Sequence, residues 1–273
     1  MQRKQVNNPN GNIAYWISDK FDDERETLFF LHGLTANHTM FEQQFPFFEK
    51  KYNLIAWDAP AHGESRPYAN FSYENAAKEI KYILDECGSS KVILIGQSMG
   101  GYIAQAFICR YPHLVKAFVA IDSTPYGDYY SKSDIWWLRQ IEWMSKLFSV
   151  KLLKSSMTKQ NATTKMGQAN MSAMIDGYSK AELCHLMEIG YDAFFDDNRE
   201  LNIPCPVLLI VGEKDKTGKV KSYNREWAKR TGFPLVWIPN AAHNSNVDNP
   251  YAVNDNIQIF LKDLLQVNSR LSV

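Results

Sequence analysis

A serine flanked by glycines, directly after an apolar run, constrains this chain more than any other feature. Residues 92–101 read VILIGQSMGG, so four apolar residues lead into a Gly-x-Ser-x-Gly pattern. The apolar run predicts a strand covered on both faces, and the spacing of apolar residues over 102–111 predicts a helix. Ser98 would then occupy a sharp turn that drives its backbone toward positive φ, where a side chain at Gly96 or Gly100 would clash.

The helix that begins at this turn also predicts a position for a developing anion. The amide of Met99 would be an unpaired donor at the positive end of the helix dipole, beside Ser98. A second apolar run ends in a His-Gly pair, and Gly33 would let the backbone approach the turn. The amide of Leu34 is therefore the predicted second donor, whereas we interpret His32 as a structural imidazole.

Composition limits the partners of the chain. Its 273 residues include 30 Lys and Arg and 30 Asp and Glu, without a basic run, which argues against nucleic acid or an anionic membrane as the main partner. The N-terminus lacks a signal peptide pattern, and no apolar run reaches the roughly 18 residues that span a bilayer, so a cytoplasmic location is expected. The spacing of the four cysteines predicts neither a disulfide nor a metal site. We expect a small-molecule substrate and no cofactor; the sequence leaves a homodimer open.

Strand and helix patterns alternate along most of the chain. The first two strands predict an antiparallel hairpin at a sheet edge, and the others are buried runs separated by helical patterns. Such alternation predicts an α/β fold, with a mostly parallel eight-stranded sheet flanked by helices on both faces. The predicted strands cover 2–6, 13–17, 27–31, 53–57, 92–95, 115–121, 206–211 and 235–238.

A long stretch without strand patterns interrupts this alternation. Residues 126–202 show only helical patterns, including a single helix over 135–148 and a capping box formed by Ser179 and Glu182. We predict a core of 1–125 and 203–273 and a helical lid of 126–202. Its aromatic and Met content favours an apolar roof over a pocket; helices that simply pack on each other are the alternative.

Polar residues that follow the strands supply the groups that a serine nucleophile needs. A serine hydroxyl requires a base, and the base requires a carboxylate that fixes its tautomer. Ser98, Asp215 and His243 each follow a predicted strand and fit these roles. Asp122 also follows a strand and is the alternative carboxylate, although the glycine-containing turn before Asp215 favours the latter.

The loop after strand 53–57 offers a second set of polar groups. Its residues Asp58, His62 and Ser65 could serve chemistry, but the loop must cross the top of the sheet with its backbone groups bonded. We interpret these side chains as hydrogen-bonding partners of the loop backbone.

Together these segments resemble the α/β-hydrolase superfamily over essentially the whole chain. The resemblance implies Ser98 as nucleophile, His243 as base, Asp215 as orienting acid, and the amides of Leu34 and Met99 as the oxyanion hole. The matching segments are His32-Gly33, Asp58 to Ser65, Gly96-Gln97-Ser98-Met99-Gly100-Gly101, Gly212-Glu213-Lys214-Asp215 and Ala242-His243.

The resemblance leaves three functions open. The leading one is a serine hydrolase that cleaves a small or medium apolar ester, thioester or lactone through an acyl-enzyme. The second is a C–C bond hydrolase or lyase that uses the same Ser and His, and the third is a slow ligand receptor. Two departures, Gln97 where many relatives have His and Ala242 where many have Gly, do not touch the triad. A serine at position 98 counts against epoxide hydrolases and haloalkane dehalogenases, which attack with Asp.

Overall fold

An eight-stranded sheet forms the centre of the protein. The computed structural model describes residues 1–271, and the side chains of all of these except 142, 265 and 267–271. The strand order is β1-β2-β4-β3-β5-β6-β7-β8, in which β2 pairs antiparallel with β1 and β4 and all other neighbours are parallel. This confirms the predicted sheet. The strands are β1 Gln2–Asn8, β2 Gly11–Ile17, β3 Thr27–Leu31, β4 Asn53–Trp57, β5 Val92–Gln97, β6 Val115–Ile121, β7 Val207–Gly212 and β8 Leu235–Ile238.

Helices connect the parallel strands. Among residues 1–271, no helix combines the length and apolar character needed to cross a bilayer. The α-helices are α1 Phe45–Phe48, α2 Tyr73–Glu86, α3 Met99–Arg110, α4 Lys132–Leu138, α5 Ile141–Leu147, α6 Val150–Asn161, α7 Lys165–Asp176, α8 Lys180–Asp197, α9 Val220–Thr231, α10 Ser245–Asp248 and α11 Pro250–Leu271.

The core lies in two layers, one on each face of the sheet. Successive residues of β3 point to opposite faces, so Phe29 joins one apolar cluster and Phe30 the other. Phe107 of α3 packs in the first cluster, and Ile257 of α11 packs in the second. Helices therefore cover both faces of the sheet, which leaves the carboxyl ends of the parallel strands as the edge where loops converge.

The residues after the His-Gly pair, around 40–50, have a pattern that predicts a helical stretch, and a single helix there is wrong. The structure has a 3₁₀ helix at His38–Phe41 and the single turn of α1 at Phe45–Phe48. Pro46 lies in that first turn and has no amide hydrogen, so a continuous helix through this position would lose a backbone hydrogen bond.

The helix predicted over 135–148 is also wrong, because two helices, α4 and α5, meet at Gln140. The Gln140 side chain donates to the carbonyl oxygen of Trp136 at 2.9 Å, the acceptor that its own amide would take in a continuous helix. That amide bonds instead to the oxygen of Trp137 at 3.0 Å, in a tighter turn. The side-chain oxygen of Gln140 accepts from the indole of Trp143 at 2.7 Å.

The segment between β6 and β7 contains the five helices α4 to α8. Within residues 122–206 the structure has no strand, and Ser179 and Glu182 form the predicted capping box at the start of α8. Tyr73 of α2 donates to the carbonyl oxygen of Gly190 in α8 at 2.7 Å, so the segment is fastened to the core. The division of the chain into core and lid stays a prediction.

Candidate active site

Ser98 lies on the turn between β5 and α3 with the backbone that the sequence predicts. Its φ is 49°, a conformation that costs an L-residue energy, and its amide donates to the oxygen of Ile121 at 2.9 Å. A Cβ on Gly96 would lie 2.6 Å from the carbonyl carbon of Gly100, and one on Gly100 would collide with the oxygen of Leu31. The two glycines therefore permit the close approach of strand and helix that holds the serine in place.

A chain of hydrogen bonds joins the three residues predicted as a triad. His243 Nε2 lies 2.9 Å from Ser98 Oγ, and His243 Nδ1 lies 2.9 Å from Asp215 Oδ2. The other oxygen of Asp215 accepts from the amide of Thr217 at 2.7 Å. With the ring proton on Nδ1, Nε2 is the acceptor for the serine hydroxyl, which is the arrangement that general-base catalysis requires.

The electrostatics of the pair favour ionised forms. Burial lowers the pKa of His243, but the charge of Asp215 and its hydrogen bond outweigh burial and raise that pKa above the ordinary value. Burial raises the pKa of Asp215, but the attraction of His243 and the hydrogen bonds of the carboxylate outweigh it, so the pKa is lowered. Asp215 is thus a carboxylate that can stabilise an imidazolium.

Asp122, the alternative acid, has both of its oxygens bonded to backbone amides. Oδ1 accepts from the amide of Gly212 at 2.7 Å, and Oδ2 accepts from the amide of Ser245 at 2.9 Å. Among the residues that the structure describes, Asp122 makes no hydrogen bond to the ring of His243. Burial and the charge of Asp215 raise the pKa of Asp122 to about 7. Asp122 therefore joins the ends of β6 and β7 to the loop of His243, and Asp215 is the carboxylate that contacts the imidazole.

Two further side chains hold the His243 loop, and the sequence analysis missed this role for both. Gln97 Nε2 donates to the carbonyl oxygen of His243 at 2.7 Å. Asp248 accepts from the amide of Ala242 at 2.9 Å and from the amides of Thr163 and Thr164 at the turn between α6 and α7. Because Gln97 is adjacent to Ser98 in the sequence, its location at the site could have been predicted. No local pattern predicts the contact of residue 248 with residues 163 and 164.

Gly33, before Leu34, and Met99, after the serine, lie next to Ser98. A Cβ on Gly33 would lie 3.4 Å from Ser98 Cβ, which places the segment before Leu34 against the serine. Within residues 1–271, neither the amide of Leu34 nor that of Met99 donates a hydrogen bond to a protein acceptor. Met99 is the first residue of α3, so its amide also lies at the positive end of the helix dipole.

Two histidines near the site are buried as neutral imidazoles. His32 Nδ1 lies 2.8 Å from the oxygen of Gly33, and its Nε2 accepts from the amide of Ala59 at 2.9 Å. Burial lowers the pKa of His32 to about 4 and that of His62 to about 3. The ring of His62 donates to Pro60 at 2.9 Å. These contacts support the structural role inferred for both side chains.

The loop after β4 uses its polar side chains for backbone hydrogen bonds. Asp58 accepts from the amides of His38 at 2.8 Å and Glu64 at 2.7 Å. Ser65 donates to the oxygen of Asp58 at 2.6 Å and accepts from the amide of Ala14 at 2.9 Å. The geometry agrees with the interpretation of this loop as a hydrogen-bonded support.

Comparison with known proteins identifies the family. A model of the alpha/beta hydrolase fold matches residues 26–250, so the chain belongs to the α/β hydrolases. It is 26% identical to an uncharacterized hydrolase of Bacillus subtilis (strain 168), over 87% of this chain and 90% of that one. It is 24% identical to the 2-(acetamidomethylene)succinate hydrolase of Mesorhizobium japonicum, over 82% and 83% of the two chains. A thermophilic esterase from Thermogutta terrifontis superposes with a TM-score of 0.78 at 18% identity, covering 97% and 99% of the two chains.

Proposed function

We propose that this α/β hydrolase is a serine hydrolase that cleaves a small or medium apolar ester, thioester or lactone. The observation that carries the proposal is the hydrogen-bonded chain from Asp215 through His243 to Ser98, in which both links are 2.9 Å long. A nucleophile within reach of a base, with the base held by a buried carboxylate, is the arrangement that activates a serine. The relatives include the 2-(acetamidomethylene)succinate hydrolase of Mesorhizobium and epoxide hydrolase 4 of Homo sapiens, so relatives of this chain differ in substrate.

The proposed reaction runs through an acyl-enzyme. His243 Nε2 takes the proton of Ser98 as Oγ attacks the substrate carbonyl, and the oxyanion forms beside the amides of Leu34 and Met99. When the tetrahedral intermediate collapses, the leaving alkoxide or thiolate receives that proton from His243. Water then attacks the acyl group, gives its proton to the same nitrogen, and Ser98 leaves with the proton restored. Asp215 stays ionised throughout.

We also propose that residues 126–202 form a lid over this site. The support is the position of α8: a Cβ on Gly190 would lie 2.7 Å from the side chain of Leu34, which follows Gly33, the residue that lies against Ser98. The side chain of Leu34 itself packs against both apolar clusters. An apolar wall this close to the serine favours an acyl chain or another apolar group on the substrate.

Covalent labelling tests the nucleophile. A fluorophosphonate probe should label the wild-type protein, and Ser98→Ala should abolish the label while the thermal unfolding curve is retained. Ser90→Ala is the matched control, because Ser90 is exposed and lies before β5, at the opposite end of the strand from Ser98, and it should label like wild type. Equal labelling of Ser98→Ala would reject Ser98 as nucleophile.

Turnover of p-nitrophenyl esters of increasing acyl length tests the reaction. We expect hydrolysis that depends on Ser98, with an optimum at small or medium chains. A protein that labels at Ser98 but turns over no ester, thioester or lactone in the panel would contradict the hydrolase proposal.

A further inference from the structure

Exposed large apolar side chains are concentrated in one stretch of the chain. Of twelve such side chains among the described residues, eight lie between positions 136 and 152, with exposed fractions from 37% to 71%. Monomeric proteins rarely expose so many large apolar groups together unless the surface has a partner. We call this the 136–152 surface; it consists of Trp136, Trp137, Trp143, Met144, Leu147, Phe148, Val150 and Leu152.

The helices that carry this surface are strongly basic. Residues 132–161, which span α4 to α6, contain six Lys or Arg and two Asp or Glu, a net charge of +4, although the whole chain is neutral. One of the two acids, Asp134, is already paired with Lys219 at 2.6 Å. Lys132, Lys151 and Lys159 are exposed. The helices that carry the apolar surface therefore contribute positive charge that the neutral total conceals, whereas α8, which packs on α5, carries one Lys and five Asp or Glu.

We propose that the 136–152 surface binds an anionic lipid bilayer. Tryptophan is enriched where a protein meets the headgroup region, and helices with Trp, Phe and Leu beside Lys and Arg bind in the plane of that interface. Lysine stems lie along apolar surface while their ammonium groups reach lipid phosphates. The proposal replaces the expectation, drawn from the total charge, that a membrane surface is not a partner, and it is independent of the proposed reaction.

A second copy of the chain fits this surface poorly. In a two-fold symmetric dimer the same surface would meet itself, so the two net charges of +4 would face each other. Like charges at an interface cost free energy, whereas an anionic bilayer neutralises them.

Vesicle co-sedimentation of the full-length protein tests the proposal. Phosphatidylcholine vesicles containing about one third phosphatidylglycerol should bind at least about tenfold more tightly than pure phosphatidylcholine vesicles, because each basic residue near an anionic surface adds to the attraction. Raising the salt should weaken the binding, since added ions screen these charges. Equal binding to both vesicle types, or no binding to either, would overturn the proposal.

Two double variants separate the apolar and the charged parts of the surface. Trp137→Ser with Leu147→Ser should reduce binding to the anionic vesicles at least about tenfold, since it removes the side chains that would insert. Lys132→Glu with Lys151→Glu changes the net charge of 132–161 from +4 to 0 and should reduce the binding similarly. Thermal unfolding followed by circular dichroism checks that both variants are folded.

Matched controls use exposed residues elsewhere. Tyr82→Ser with Ile259→Ser removes two apolar side chains of similar exposure, and Lys50→Glu with Lys51→Glu makes the same charge change. Both controls should bind the anionic vesicles like wild type. The proposal would be overturned if the controls lose as much binding as the surface variants. It would also be overturned if the protein self-associates without binding vesicles and Trp137→Ser with Leu147→Ser abolishes that self-association.

Discussion

Two buried carboxylates lie near one imidazole, and their hydrogen bonds give them different tasks. Asp215 accepts a hydrogen bond from the ring of His243, whereas both oxygens of Asp122 accept from the amides of Gly212 and Ser245. We predict that Asp215→Asn lowers kcat by about 10³ to 10⁴, by analogy with serine proteases, because the amide favours the wrong imidazole tautomer.

Asp122→Asn is the matched comparison for that substitution. It should lower kcat by about tenfold at most, because the carboxylate does not contact the ring, although its amide group would oppose a backbone N–H. Steady-state kinetics of both variants on the same ester decide the ranking, and a larger loss for Asp122→Asn would move the acid to Asp122.

The pH dependence of kcat/KM follows from the same charges. His243 must be neutral to act as base, and Asp215 raises its pKa, so kcat/KM should rise with pH with a midpoint above the ordinary value of about 6.5. Asp122 contributes in the same direction, because its negative charge also favours the imidazolium. Asp122→Asn should therefore move the midpoint to lower pH. A midpoint that stays in place or rises in this variant would show that the Asp122 charge does not act on His243.

At the scale of elements, the carboxylate of Asp248 links the turn between α6 and α7 to the loop of His243 by hydrogen bonds. Asp248 accepts from the backbone and hydroxyl groups of Thr163 and Thr164 and from the amide of Ala242. Asp248→Ala leaves the buried amide of Ala242 and the part-buried donors of Thr163 and Thr164 without their acceptor, so we predict a loss of about 2 kcal/mol in the free energy of unfolding. Urea unfolding measures this, with Asp255→Ala as the control on an exposed position of α11. A loss of unfolding free energy no larger than that of the control would show that these hydrogen bonds of Asp248 do not stabilise the fold.

The sequence predicts elements well where buried apolar runs end at polar turns and poorly where a side chain competes for the hydrogen bonds of the backbone. The bounds of β3, β4, β6 and β8 are as predicted, because buried apolar runs end at polar turns. The single helix over 135–148 was wrong because the Gln140 side chain competes for a backbone carbonyl, which apolar spacing does not reveal.

Within the candidate site, the sequence predicts local contacts and misses those between distant residues. Gly96 and Ser98 act through local sterics, so their placement could be read from the order of residues, and only the contact of Gly100 with Leu31 involves a distant strand. The contacts of Gln97 with His243 and of Asp248 with Thr163 join residues 146 and 85 positions apart, and the sequence contains no periodic signal for them.

At the scale of the whole molecule, the two buried neutral histidines make stability depend on pH. Burial lowers the pKa of His32 to about 4 and of His62 to about 3, whereas in the unfolded chain both titrate near 6.5. Between these values the unfolded chain binds protons that the folded protein does not, so the free energy of unfolding falls as the pH falls below about 6.5. Each histidine contributes up to about 1.4 kcal/mol per pH unit. Asp122 partly offsets this fall, because its pKa is raised to about 7 and the folded protein there holds a proton that the unfolded chain lacks. His243, whose pKa is also raised, adds stability that is lost only as the pH rises above about 6.5.

Urea unfolding at a series of pH values between about 7.5 and 5 tests this dependence. His62→Leu should lower stability at neutral pH, since it loses the hydrogen bond to Pro60, but it should also flatten the fall in stability toward acid pH. The slope therefore reports the titration separately from the lost contact. His113→Gln is the control, because His113 is exposed and its substitution should leave the slope unchanged. A slope in His62→Leu as steep as in wild type would mean that the imidazole of His62 takes up its proton equally in the folded and unfolded chain.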